Sequence, residues 1–286
     1  MNYSEEYTIG IVGLGLMGAS MAMALRGFRG ARIIGTDLDA QVCARAPEDG
    51  TVDEAGTDTG DVIAQSDVLM FCVYARHIPG ILEAHAARLK PGCLVSDICG
   101  VKGPLYEAML PLLSEGVRQV GAHPMAGKER GGYGNADAGL YHGCGFLITP
   151  TARSTEEDID FMRALAGHIG AARAQVVGPA AHDAAIAYTS HLTHIAAAGL
   201  CLHPPEGVSP VFMGGGFRDC TRIADIDAGA WTELLMDNRA CAADALERYI
   251  ADLQAMRDAL RGEDREALRA LLQAAGDNKR DMLRRG

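Results

Sequence analysis

The stretch that decides the fold reads TIGIVGLGLMG, residues 8–18. A short apolar run leads into Gly13-Leu14-Gly15-Leu16-Met17-Gly18, and the ASMAMAL that follows is built of helix formers. The pattern is strand, glycine turn, helix. Gly13 permits the tight turn, Gly15 lets a pyrophosphate approach the backbone, and Gly18 lets helix and strand pack closely. The helix N-terminus then faces the phosphates. The next apolar run, residues 31–36, ends at Asp37, nineteen residues after Gly18. An acid there hydrogen-bonds the ribose hydroxyls and repels a 2′-phosphate. No arginine follows it (Leu38, Asp39), so NAD is favoured over NADP. Gly13, Gly15, Leu16, Met17, Gly18 and Asp37 are the candidate cofactor-binding residues.

Working outward, the strand–helix rhythm continues. Residues 67–73 (DVLMFCV), 93–97 (CLVSD), 117–121 and 144–149 (CGFLIT) read as strands. Residues 78–89 and 102–113 read as helices between them. Such alternation predicts a parallel, doubly wound sheet of the Rossmann type. The strand signals mostly stop near Pro150. A helix over 155–169, with acids in its first turn, and one last strand over 172–177 follow. The remainder is helical. Residues 181–202 are rich in alanine and poor in charge, which predicts a helix buried nearly all round. Apolar residues from Trp231 to Leu260 recur at helical spacing over roughly 28 residues, about 42 Å. That is longer than a domain of this size needs, so the helix is expected to pack against a second subunit. The fold class is thus α/β, with an N-terminal Rossmann-type doubly wound domain over 1–153 and an all-helical substrate and dimerisation domain over 154–286.

Composition narrows the partners. The formal charge of −11 argues against nucleic acid and anionic membrane surfaces. In so acidic a chain a local cluster of Arg, Lys and His points to an anionic small molecule. The eight cysteines form no CxxC pair and no zinc spacing, so a reducing compartment, no disulfides and no metal are expected. The opening MNYSEEYTIG carries no basic or apolar leader, and a cytoplasmic protein is expected. The longest apolar stretch, 184–202, includes Ser190, His191, Thr193 and His194 and reads as a buried helix, not a membrane span.

Three places carry unusual polar chemistry. The first is GAHPMAGKERGG, residues 121–132, where His123 precedes Pro124 and a glycine-bounded turn carries Lys128, Glu129 and Arg130. His123 is expected where a strand ends and a loop begins, the usual address of catalytic groups in an open α/β sheet, with its backbone held extended by Pro124. A surface turn with an incidental histidine is the plainer alternative. The second is the pair His191 and His194, three apart on one helix face. The third is GGGFRDCTR, residues 214–222, where Arg218 and Arg222 project together if helical and offer forks matched to carboxylate. A Rossmann domain with a helical domain bearing His and Arg implies hydride transfer on a small carboxylate substrate.

Five stretches together resemble the prephenate/arogenate dehydrogenases of tyrosine biosynthesis. They are GLGLMGAS (13–20), DICGVKG (97–103), GAHPMAGKE (121–129), SHLTH (190–194) and GGGFRDCTRIA (214–224), with Trp231 downstream. Their order and spacing span almost the whole chain. The resemblance implies a homodimer that oxidatively decarboxylates prephenate to 4-hydroxyphenylpyruvate with NAD. It places His123 on the family's catalytic histidine, Arg222 on its carboxylate-binding arginine, His194 on its substrate-binding histidine and Glu129 on an acid near the substrate side chain. Arg218 is a further substrate-binding candidate. Three departures stand out. Gly100 replaces a serine that would orient the substrate's 4-hydroxyl, a task then left to Ser96 or a water. Thr193 replaces a proline, and Lys128 a small polar residue.

The chemistry asks for a neutral histidine that takes the hydroxyl proton, so activity should fall with pH through a single ionisation, ordinarily near about 6.5 for histidine. Three alternatives compete. One is arogenate as substrate, its ammonium attracted by Glu129. Another is a β-hydroxyacid dehydrogenase or imine reductase, which shares the two-domain plan but places Lys or Asp on the interdomain helix. The last is a non-catalytic NAD sensor, which needs neither His123 nor Arg222.

Overall fold

The computed structural model describes residues 7–128 and 130–284. They divide into two compact units, 1–186 with 226–238, and 187–225 with 239–286. The first unit holds one sheet: β1 Thr8–Val12, β2 Arg32–Thr36, β3 Glu54–Gly56, β4 Val68–Phe71, β5 Leu94–Asp97, β6 Arg118–Pro124, β7 Gly145–Pro150 and β8 Arg173–Val176. Their order across the sheet is β3-β2-β1-β4-β5-β6-β7-β8. Its α-helices before residue 187 are α1 Leu16–Ala24, α2 Ala40–Glu48, α3 Thr59–Gln65, α4 Ile78–His85, α5 Gly103–Met109, α6 Glu156–His168 and α7 Pro179–Ile186.

Side chains alternate across the central strands, as a sheet covered on both faces requires. Val68 and Met70 of β4 join one core with Met21 of α1 and Phe161 and Leu165 of α6. Leu69 and Phe71 join the other, with Ile78 and Leu82 of α4 and Leu105 and Met109 of α5. Strand order reverses between β1 and β4, the switch point outside which ligands bind in open α/β sheets.

Three expectations need correction. The sheet is not all parallel: β7 runs antiparallel to β6, with His123 opposite Leu147. Among the described residues of 125–144 between them there is a single 3₁₀ turn, Tyr133–Asn135, and no crossover helix, which a parallel return would need. Strand β8 pairs with β7 and α6 packs on the sheet, so both belong to the first unit. The single long helix from Trp231 to Leu260 is instead α10 Ala228–Asp237, which belongs to the first unit, and α11 Arg239–Arg261, which belongs to the second. The break is at Asn238, whose backbone leaves the helical region (φ −112°, ψ 29°) and whose amide donates to the Asp183 carbonyl at 2.9 Å.

The second unit contains a π-helical turn Ala187–His191, α8 Leu192–Leu202, α9 Gly215–Thr221, α11 and α12 Arg265–Arg284. Its alanine-rich helix is not buried all round. Tyr188, Leu200 and Leu202 stand more than half exposed, because neighbours within the unit cover only the side bearing His191, Leu192 and Ala197. The segment Pro179–Leu202 is long and apolar enough to cross a membrane by composition alone, but it is interrupted by the π turn.

Candidate functional site

The glycine turn is built as its residues dictate. Gly13 has φ +92°, a conformation that L side chains rarely adopt, and its N–H donates to Thr36 O at 2.8 Å. A Cβ at Gly18 would collide with the Gly13 carbonyl oxygen, so this glycine sets how closely α1 packs on β1. A Cβ at Gly15 would meet nothing within 4 Å, and α1 has no side-chain cap. The first N–H groups of the helix therefore face open space, as an anion requires. Asp37 sits just past β2 and is anchored at both oxygens: Leu14 N–H donates to Oδ2 at 2.8 Å and Asp39 N–H to Oδ1 at 3.0 Å. It therefore shapes the turn as well as facing the cleft.

That cleft has a volume of about 550 Å³. Gly13, Gly15, Leu16, Met17 and Asp37 form one wall, residues 72–77 and 98–101 another, and Trp231, Glu233 and Leu234 of α10 a third. Gly18 lies behind the turn and not in the cleft lining. Arg76 pairs with Glu233 at 3.3 Å, tying α10 to the segment after β4. The size, the bare Gly15 backbone and the anchored acid fit a dinucleotide.

His123 is the penultimate residue of β6, one position inside the strand end expected for it. Its Nδ1 is 2.9 Å from His182 Nε2, and His182 Nδ1 is 2.8 Å from Asp183 Oδ1. Asp183 also accepts the N–H groups of Lys102 (2.9 Å) and Gly103 (2.7 Å). Burial opposes its charge, but the hydrogen bonds from His182, Gly103 and Lys102 prevail and hold its carboxyl below the usual carboxylate range. Beside this chain, the fully buried Lys102 ammonium donates to Asp97 Oδ1 at 2.5 Å and to Ala122 O at 2.6 Å. Lys102 thus fixes the residue immediately before His123. On the other side, a Cβ at Gly100 would lie 3.8 Å from His123 Nε2 and 3.3 Å from Leu234 Cδ1. Gly100 lines the cleft, and the His123 ring adjoins Gly100 without itself being part of that lining. Ser96, expected as a stand-in for the missing hydroxyl, is fully buried in β5 and is not part of that lining.

The remaining candidates belong to the second unit. His194 of α8 is half-buried, and its Nδ1 is 2.8 Å from Ser190 O in the π turn. Thr193, in the place of a proline, donates to the same carbonyl at 2.7 Å. Arg218 lies in α9 and Arg222 caps it with helical backbone, so the two share a face, both exposed. Helices α8 and α9 pack together, which brings the His194 helix against the arginine helix. Glu129 lies outside the described residues.

His182, Asp183 and Lys102 were not among the candidates read from sequence. Lys102 and Asp97 are five apart in DICGVKG, a spacing that places a lysine near an acid but not inside the fold. His182 and Asp183 open an apolar helix, where an adjacent pair of ionisable residues signals burial with partners.

Residues 21–175 match the family described as "Prephenate dehydrogenase, nucleotide-binding domain", and residues 178–274 match "Prephenate dehydrogenase, dimerization domain". The chain is 27% identical over 285 residues to the prephenate dehydrogenase of Bacillus subtilis, covering 97% of this chain and 76% of that protein. It is similar in structure to the prephenate dehydrogenase of A. aeolicus in complex with hydroxyphenyl propionate and NAD+, with TM-score 0.85, 28% identity, and 96% of this chain and 98% of that one covered. It is likewise similar to Synechocystis arogenate dehydrogenase, with TM-score 0.84, 28% identity, and 96% and 99% covered.

Proposed function

The chain belongs to the prephenate dehydrogenase family, and from that premise we propose that it oxidatively decarboxylates prephenate to 4-hydroxyphenylpyruvate with NAD+, His123 acting as the general base. The observation that carries this reading is the position of His123. Its ring lies beside Gly100, which lines the same cleft that begins at the glycine turn. When bound, NAD+ supplies the hydride acceptor. Neutral His123 draws the proton from the substrate's 4-hydroxyl as the carbinol C–H bond breaks and carbon dioxide leaves. The proton returns to the same oxygen when the ring is aromatic, so His123 ends the cycle neutral. Asp37 favours NAD+ over NADP+, since its anchored carboxylate repels a 2′-phosphate and its neighbours are Leu38 and Asp39.

Substrate binding falls to Arg222 as carboxylate partner, with His194, Arg218 and Glu129 as further contacts. The family resemblance and the exposed, co-facial guanidinium groups on α9 support this assignment. The active unit is a homodimer through the helical unit. Large apolar side chains stand exposed on it, and its family match is described as a dimerization domain. Sedimentation should give about twice the chain mass; a fully active monomer contradicts the assignment.

Arogenate is the second reading, favoured by the likeness to Synechocystis arogenate dehydrogenase. Turnover of prephenate and of arogenate with NAD+, followed by the absorbance of reduced nicotinamide, separates them. The proposal expects the higher kcat/KM for prephenate. A higher value for arogenate reverses the substrate, and turnover of neither removes the assignment.

A further inference from the structure

The chain Asp183–His182–His123 has a direction that hydrogen-bond donors and acceptors settle. The N–H groups of Lys102 and Gly103 can only donate, and between them they occupy both oxygens of Asp183. Asp183 therefore acts as a carboxylate acceptor throughout, and His182 Nδ1 must be the donor in the 2.8 Å contact with it. A neutral His182 then has only a lone pair at Nε2. Across the 2.9 Å contact the hydrogen must sit on His123 Nδ1. The lone pair of the His123 ring is left on Nε2, the ring nitrogen beside Gly100, which lines the cleft.

We propose that His182 and Asp183 are positioning residues for His123, fixing it as the Nδ1–H tautomer so that Nε2 is the atom that takes the substrate proton. This rests on reading His123 as the base. His182 is fully buried, which excludes water from the Nδ1 side of the His123 ring and removes the competing acceptor that would let it flip. When the proton arrives on Nε2, the His123 imidazolium keeps its Nδ1–H bond to His182, and the Asp183 anion behind His182 stabilises the new positive charge. The arrangement uses an imidazole to extend the reach of a carboxylate by one ring. A carboxylate placed directly on His123 would do the same task, but Asp183 is held at the N-terminus of α5 by its two backbone donors. A purely structural role, clamping α7 to α5 through Asp183, explains the carboxylate but not the orientation of the His182 ring toward His123.

Long-range ¹⁵N NMR of the histidine rings in the unliganded wild-type enzyme tests the tautomer directly. The proposal expects His123 protonated on Nδ1 and unprotonated on Nε2. A hydrogen on Nε2 overturns it. Steady-state kinetics with NAD+ and whichever of prephenate or arogenate the wild type turns over tests the consequence. His182→Leu should lower kcat by about 10–100-fold, the usual cost of losing an outer partner of an active histidine, while KM for both substrates changes little. His182→Gln, whose amide oxygen can accept from His123 Nδ1–H, should recover most of that loss. If His182→Leu melts at a lower temperature yet keeps wild-type kcat in its folded fraction, the pair is structural only and the proposal falls. In a His123→Asn background, His182→Leu should cause no further loss of kcat. A His123→Asn enzyme with undiminished kcat refutes the reading of His123 as base itself, whereas a crippled His123→Asn enzyme beside a normal His182→Leu enzyme refutes only the positioning role.

Discussion

In the sheet unit the large side chains are inside: Phe71, Tyr141, Phe146 and Phe161 are at most 1% exposed. In the helical unit they are outside: Val211, Phe212, Leu202 and Leu283 are 69–86% exposed, and apart from Leu192 the buried apolar residues are alanines, such as Ala197, Ala242 and Ala259. The polar groups follow the same division. Asp97, Lys102, His182 and Asp183 are buried and bonded to one another or to fixed backbone, whereas Arg218 and Arg222 are exposed on a short helix. A buried, mutually bonded group is pre-organised before substrate arrives, and an exposed long side chain is ordered only on binding. The proposed base and its partners thus belong to the pre-organised set, and the proposed carboxylate partners to the exposed one.

Substitutions on each side should fail differently. The largest loss of stability is expected in the sheet unit, from Lys102→Met. It strands the Asp97 carboxylate in the core and releases the Ala122 carbonyl. Breaking one side of a buried pair costs about 3–5 kcal/mol, read as a lower denaturation midpoint. A variant as stable as wild type contradicts the pre-organised description. In the helical unit, Arg222→Ala should leave stability nearly unchanged and raise KM, since truncating one partner of a charge-assisted pair costs roughly 2–5 kcal/mol in binding. Arg222→Lys should recover only part of this, because the two-pronged contact is lost. Unchanged KM in Arg222→Ala with a raised KM in Arg218→Ala moves the role to Arg218. The smallest effect is expected from Asp37→Ala, whose kcat/KM preference for NAD+ over NADP+ should narrow by about tenfold, the worth of one charge-assisted hydrogen bond. A wild-type preference for NADP+ contradicts the assignment of Asp37.

What could be read in the sequence follows the same line. Residues 8–18 with Asp37 were legible because each glycine answers a local backbone requirement. The place of His123 near a strand end was legible because Pro124 and the glycines around it are local too. The antiparallel β7 was not, because strand direction depends on how residues 125–144 run and no residue in them declares it. β3, α2 and α3 were passed over since β3 is a three-residue strand and the two helices are short and polar. The break at Asn238 depends on its bond to Asp183, fifty-five residues away. The contact of His182 with His123 spans fifty-nine residues, and nothing in the spacing of either predicts it. The exposure of α8 is not legible in its sequence, because an apolar stretch reads alike whether or not its own chain covers it.

The central claim, that neutral His123 takes the substrate's hydroxyl proton, is tested most directly by measuring kcat and the melting temperature of His123→Asn together. The variant keeps some hydrogen bonding but cannot hold the proton. The expected result is a melting temperature close to wild type with kcat lowered by about 10²–10⁴-fold, the usual loss on removing a general base, and KM affected less. A stable variant whose kcat stays within a few-fold of wild type contradicts the claim.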